Sequence, residues 1–315
     1  MVKILRLSVT GALGSILHCI SCFNLFGRSQ VSFATDGFLS PTIDRFRTSM
    51  RQVPAYRQWF EFAEDLNRLG IDMQRDRDIP RDDNQRLTIA ALFVRAHQSF
   101  QAALTLAERG MLGDARVVLR SAVEGAIALN ALANDIGFLD QLKDAHYFNQ
   151  RKIARLTLSN ADYRSYYGPE QIAAMEATIK EVEAMDAERL AKGQKKLADI
   201  TWADVAIKHC RDLYDLLYRQ LSGDGTHTNI NSMHRYMEYD AQGLFSGFKV
   251  GPSVSDMVEV LKAACLMFLW AADPFARANA VDFRPRIQAG VQRFGTMPFE
   301  EPPGVSVRQN FEQAG

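Results

Sequence analysis

Cysteine is scarce in this chain: Cys19, Cys22, Cys210 and Cys265 are the only four in 315 residues. Four scattered cysteines exclude a disulfide scaffold and fit a reducing compartment, so a cytoplasmic location is the first expectation. Cys19 and Cys22 form a CxxC, yet no second pair or nearby His doublet completes a set of zinc ligands. An excess of charge of one sign is also missing. Thirty-seven basic residues balance thirty-seven acidic ones, so no overall field draws the chain onto nucleic acid or an anionic membrane. There is no HxxxH or HExxH spacing, no Walker loop, no GxGxxG after a strand and no GxSxG. Those absences remove the common metal, nucleotide and hydrolase classes and leave no cofactor or metal motif. Strand signals are lacking too, because no long apolar/polar alternation is bounded by turns.

What remains is 47% hydrophobic and 23% charged, the mixture of an ordinary folded chain able to bury a core. Residues 1–35 hold Lys3, Arg6 and Arg28 but no acid, around an apolar stretch at 7–26 diluted by His18, Asn24 and hydroxyls. That order has the outline of a signal peptide without a clean cleavage site, and it is a poor membrane span. Export or membrane anchoring is the alternative to the cytoplasm. Helical texture begins at Arg51, which favours a start at Met50 and places 1–48 outside the fold as an extension.

Apolar residues three and four apart from Tyr56 to Leu69 predict a first helix, with Gly70 as its stop. A second is expected over 84–109, closed by Gly110, and a third over 115–134 with Asp114 as its cap. A fourth spans 138–158. Pro169 opens a fifth to Lys192, rich in Glu and poor in large apolar residues, which reads as a solvated arm. Thr201 starts a sixth that runs to Leu221. A short helical stretch near 232–239 follows, and then a strongly apolar helix over 257–272, capped by Ser253 or Ser255 and ended by Pro274. At about 16 residues, with Glu259 and Lys262 inside it, this last helix is too short and too charged for a bilayer. The expected fold is all-α, a single bundle of about seven helices over 50–295 with a disordered tail at 296–315.

Polar residues stand where such a bundle wants apolar ones. Arg120 and Glu124 lie four apart on the third helix, in line with Val117, Ile127 and Ala131. A charged pair there either fixes helix register from inside or lines a cleft, and each charge needs a partner. Tyr214, Tyr218 and Ser222 are likewise four apart on the sixth helix, and His227 follows Gly223 and Gly225. A loop His beside hydroxyls can act near neutral pH as acid, base or ligand, or simply cap the helix. His97 on its apolar face reads as a satisfied core histidine, and Tyr163, Tyr166 and Tyr167 as packing before Pro169.

The arrangement L-R-S-x-x-E-G followed by Y-x-x-L-S-x-x-x-x-H resembles a family of uncharacterised bacterial helical proteins, a domain of unknown function. The resemblance covers residues 84–272. It implies that Arg120, Glu124, Tyr218, Ser222 and His227 carry the family pattern, and it brings no reaction with it. A weaker likeness is to HEPN helical domains, many of which cleave RNA with an Arg and a His close together on a helix. Seven residues, two of them glycine, separate Arg219 from His227, which departs from that spacing. Under that likeness His227 works on the ribose 2′-hydroxyl while Arg120 or Arg219 steadies the phosphorane charge. The leading expectation is a binding or interaction role for Arg120, Glu124, Ser222 and His227, supported by Tyr214, Tyr218 and Arg219. An RNA endonuclease is the alternative. A homo-oligomer with the cluster as a buried register-fixing network is the third reading, and the partner is unknown.

Overall fold

The computed structural model describes residues 32–75, 79–225 and 230–303. These residues form an all-α bundle with one small hairpin. Its centre is four long helices: α2 (Pro54–Gln74), α3 (Asn84–Glu108), α4 (Leu112–Asn134) and α10 (Met257–Asn279). Helices α3, α4 and α10 pack mutually, and α2 lies on α10. Ahead of α2 comes α1 (Ile43–Gln52). A hairpin arm of α5 (Phe138–Ser159) and α6 (Pro169–Ala191) projects beside the bundle, and α6 buries only Val182 and Asp186, as its composition predicts. No helix among the described residues is long and apolar enough to cross a membrane.

Helix α1 corrects the expectation that the fold begins near residue 50. Ile43, Phe46 and Met50 recur at helical spacing and are buried in the core, while Arg51 is held between Glu64 and Glu108. The charged residues between these three anchors mask the stripe in the sequence. Residues 1–31, with Cys19 and Cys22, lie outside the described residues.

Two expected stops are also corrected. Helix α2 continues through Gly70 to Gln74, and a Cβ at Gly70 would stand 2.7 Å from Nε2 of His97 and 2.9 Å from the Phe268 ring. Glycine is there for close approach of helices rather than for a turn. Helix α10 runs through Pro274 to Asn279. Proline cannot donate to the carbonyl four residues back, and that carbonyl, on Trp270, accepts instead from Asn130 Nδ2 at 3.0 Å.

Caps differ as well. Met111 rather than Asp114 is the N-cap of α4, and Asp114 sits in its first turn, where its charge suits the helix dipole. Asp256, not a serine, precedes α10, in the left-handed region at φ 68°. The α10 start is capped from the far end of the chain, since the Val258 amide donates to Glu301 Oε1 at 2.6 Å. Residues 296–301, expected to be disordered, are therefore strapped down: Met297 is buried, Trp59 Nε1 donates to the Pro298 carbonyl at 2.7 Å, and the Tyr56 hydroxyl donates to Glu301 at 3.1 Å. Residues 304–315 lie outside the described residues.

The predicted sixth helix is broken. Helix α7 (Trp202–His209) stops at Cys210, whose backbone is extended at φ −161°, and Thr201 makes no side-chain cap. Burial of the Cys210 thiol pushes its pKa up to about 12, the behaviour of a core residue. After Arg211–Leu213 the chain widens into a π-helical turn at Tyr214–Tyr218 and returns to α-helix as α8 (Arg219–Gly225). Helix α9 (Ile230–His234) is followed by antiparallel strands β1 (Met237–Tyr239) and β2 (Phe245–Phe248), so the helical stretch expected near 232–239 ends at His234 and gives way to strand at Met237. The turn between them uses Asp240, whose carboxylate accepts from the Gln242 and Leu244 amides, and Gly243 at φ 80°. This side-chain-built turn is not one of the Asn-Gly type.

Candidate functional site

Helix α8 and the π-helical turn lie against α4, and the contact brings together the polar residues that each helix carries. The π turn stacks Tyr214 on Tyr218, with centroids 5.1 Å apart and planes 19° from parallel. It aims the Tyr218 hydroxyl between Arg120 and Glu124. Arg120 Nη2 donates to that hydroxyl at 2.8 Å, and the hydroxyl donates to Glu124 Oε1 at 3.0 Å. Arg120 Nη1 also pairs with Glu124 at 3.0 Å, while Nε reaches Ser222 Oγ at 3.3 Å. The guanidinium carbon stands 4.9 Å from the centre of the Tyr218 ring, so a cation–π contact joins the hydrogen bonds.

All three guanidinium nitrogens are thus committed within the cluster. The side chains of Arg120 and Glu124 keep 21% and 25% of their surface in solvent, so the cluster forms a face rather than a sealed core. Burial, and then the hydrogen bond and charge of Glu124, raise the Tyr218 pKa above the ordinary phenol value against the pull of Arg120. The hydroxyl stays protonated and works as a donor. Ser222 faces a cation here, and a guanidinium cannot take its proton, so this contact does not make it a nucleophile.

Of the other candidates, Tyr214 joins through its stacked ring. Arg219 does not join. It is exposed and reaches toward Asp215 at 3.5 Å. His227 lies outside the described residues. His97 is buried in the bundle, where its Nδ1 accepts from Gln74 Nε2 at 2.6 Å and its Nε2 donates to Asn67 Oδ1 at 2.9 Å. Burial lowers its pKa and keeps it neutral. Tyr163, Tyr166 and Tyr167 are exposed rather than packed. No group of three or more His, Cys, Asp or Glu among the described residues could hold a metal ion.

Two residues escaped the sequence reading. Arg116 stands one turn before Arg120 on the same face, mostly buried, 3.7 Å from Asp256. The spacing of four that marks Arg120 and Glu124 extends back to it. Asn130, buried on α4, has no sequence signal beyond being polar in an apolar run.

A family model described as a family of unknown function (DUF5677) matches residues 87–244. The chain belongs to that family. No curated protein and no solved structure matches it. The DUF5677 match begins inside α3 and ends in the hairpin, so it contains Arg120, Glu124, Tyr218 and Ser222 and stops before α10.

Proposed function

We propose that this DUF5677 protein is a binding protein, and that the face of α4 and α8 around Arg120 and Tyr218 is its contact surface for a protein partner. The observation that supports this reading is the closed network in which Arg120 holds Glu124, Tyr218 and Ser222 at once. Arg and Tyr dominate the energetics of protein interfaces, and side chains already fixed lose little freedom on association. Nearby, Val117 is 43% exposed one turn before Arg120, and Leu216 is 54% exposed in the π turn. These apolar side chains gain from being covered, and the polar cluster supplies direction.

The test is quantitative capture of partners by the full chain, comparing the native protein with Tyr218→Ala and Arg120→Ala variants of verified fold. A partner held by the native protein and lost from both variants supports the contact surface. Equal capture by all three sinks it. In parallel, the chain is incubated with single-stranded RNA of mixed sequence, where no cleavage is expected. Cleavage abolished by His227→Ala would replace binding by the HEPN-like endonuclease reading.

A further inference from the structure

Helix α2 and the last helix, α11 (Arg284–Phe294), flank a groove of about 570 Å³ that shares no residue with the Arg120 cluster. Both helices pack on α10. The charges of the groove come in two layers. In the first, Asp65 accepts from Arg68 Nη2 and from Arg293 Nη1, each at 2.6 Å. In the second, seven residues on along α2 and seven back along α11, Asp72 accepts from Arg286 Nη1 at 2.9 Å. The two helices therefore run antiparallel, and Arg75 stands in the second layer as Arg68 does in the first. Its side chain is exposed and makes no ion pair among the described residues.

Four arginines thus line the groove against two aspartates. Asp76, Arg77 and Asp78 follow in the chain, outside the described residues, and counting them leaves five cations against four carboxylates. The surplus is already positioned. Arg68, Arg286 and Arg293 each give one nitrogen to an aspartate, yet their side chains stay 63%, 51% and 43% exposed. Arg293 also lies over the Phe62 ring at 5.0 Å and Arg286 over Phe283 at 5.2 Å, so both forks are held with donors left for a further carboxylate.

The protein itself carries a helix with the matching pattern. On α6, Ala174, Ala177, Glu181, Ala184, Glu188 and Ala191 recur three and four apart, so they share one face, and all six are exposed. The other side of α6 holds the buried Val182 and Asp186 against α5. Glu181 and Glu188 are seven residues apart, a rise of about 10.5 Å, which is the step between the two arginine layers. The alanines between them let the helix lie close on Ile71, 40% exposed, and on Ala289. Glu181 makes no ion pair among the described residues, and Glu188 pairs only with Lys192 where both are more than 60% exposed, a contact of little worth. No residue of α6 lines the groove of its own chain. We propose that the protein self-associates by laying α6 of one copy in the α2–α11 groove of another. Arg75 and Arg286 take Glu181, and Arg68 and Arg293 take Glu188.

The test is sedimentation velocity of the full chain at rising protein concentration. Native protein should associate in about 0.05 M salt and come apart in about 1 M salt, where exposed charges are screened. Arg75→Glu and Glu181→Arg, each of verified fold, should each weaken association by about tenfold, because like charges then meet across the contact. Combined in one chain they restore opposite charges, and association should return. Lys249→Glu makes the same change in net charge as Arg75→Glu away from the groove and should have no effect. Arg120→Ala should also leave association unchanged, which separates this groove from the contact surface proposed above. A native chain that stays monomeric in low salt, an equal loss in Lys249→Glu, or no recovery in the combined variant overturns the proposal.

Discussion

Asn130 supplies the hydrogen bond that Pro274 denies to Trp270. Its Nδ2 donates to the Trp270 carbonyl at 3.0 Å and to the Ala126 carbonyl of its own helix at 2.8 Å. A buried amide on α4 thereby lets α10 pass through a proline without leaving a carbonyl unsatisfied. Asn130→Ala should cost about 1–3 kcal/mol, the penalty for a buried acceptor left without a donor. Pro274→Ala restores a main-chain donor to Trp270, so Asn130→Ala should cost less in that background. A double-mutant cycle by urea denaturation measures the difference. Strictly additive costs would show that the two residues do not share this task.

Tyr218→Phe tests the polar cluster as a network. It removes the hydroxyl shared by Arg120 and Glu124 and leaves the ring, with its cation–π contact, in place. On a half-exposed face the loss should be about 0.5–1.5 kcal/mol. Glu124→Gln, introduced into the native chain and into the Tyr218→Phe variant, should then show coupling, read as a difference between the two shifts in denaturation midpoint. Independent effects would reduce the cluster to chance neighbours.

The four-residue spacings of Arg120 to Glu124 and of Tyr218 to Ser222 made each half of this cluster legible, because helix geometry alone puts such pairs on one face. Their meeting depends on the π turn that aims Tyr218, and no local pattern announces a π turn. The expected stops at Gly70 and Pro274 fail for a related reason. Both residues have a local meaning as helix terminators, and both are overruled by a residue from a distant helix, His97 for one and Asn130 for the other. The start of the fold was hidden because α1 buries only three anchors among charged neighbours.

The strap at Glu301 gives a pH dependence with a definite sign. Burial, and more weakly the charge of Asp256, hold the Glu301 carboxyl above the ordinary range, against the Val258 amide and the Tyr56 hydroxyl. The native state binds this proton more tightly than the unfolded chain. Its contribution to stability is therefore full below the unfolded pKa and is lost as pH rises through the higher folded value. Glu301→Gln keeps an acceptor for Val258 and carries no charge. Between about pH 4 and pH 7, the native protein should lose stability relative to this variant as pH rises. A constant difference across that window would mean that Glu301 titrates normally. Using the difference also cancels the opposite slope from carboxylates such as the exposed Asp65, which the hydrogen bonds and charges of Arg68 and Arg293 hold below its usual range against its partial desolvation.

The same substitution at two helix glycines should have opposite signs. Alanine is the better helix former, so Gly→Ala inside a helix gains about 0.5–1 kcal/mol where the new methyl has room. Gly125 on α4 has that room, with no heavy atom within 4 Å of an added Cβ beyond its own helix. Gly70 on α2 does not, since the same atom would stand 2.7 Å from His97 Nε2. That ring cannot retreat. It is buried, hydrogen-bonded at both nitrogens and stacked with Phe93. Crowding of this kind costs about 1–3 kcal/mol, which outweighs the gain in propensity. Gly125→Ala should therefore raise the urea midpoint and Gly70→Ala lower it. If both raise it, α2 and α3 are not in hard contact at His97, and Gly70 belongs to the ordinary class of tolerated helix glycines. If both lower it, the space beside Gly125 is filled in solution by something a methyl displaces. That position lies next to Glu124, on the helix that carries the proposed contact surface.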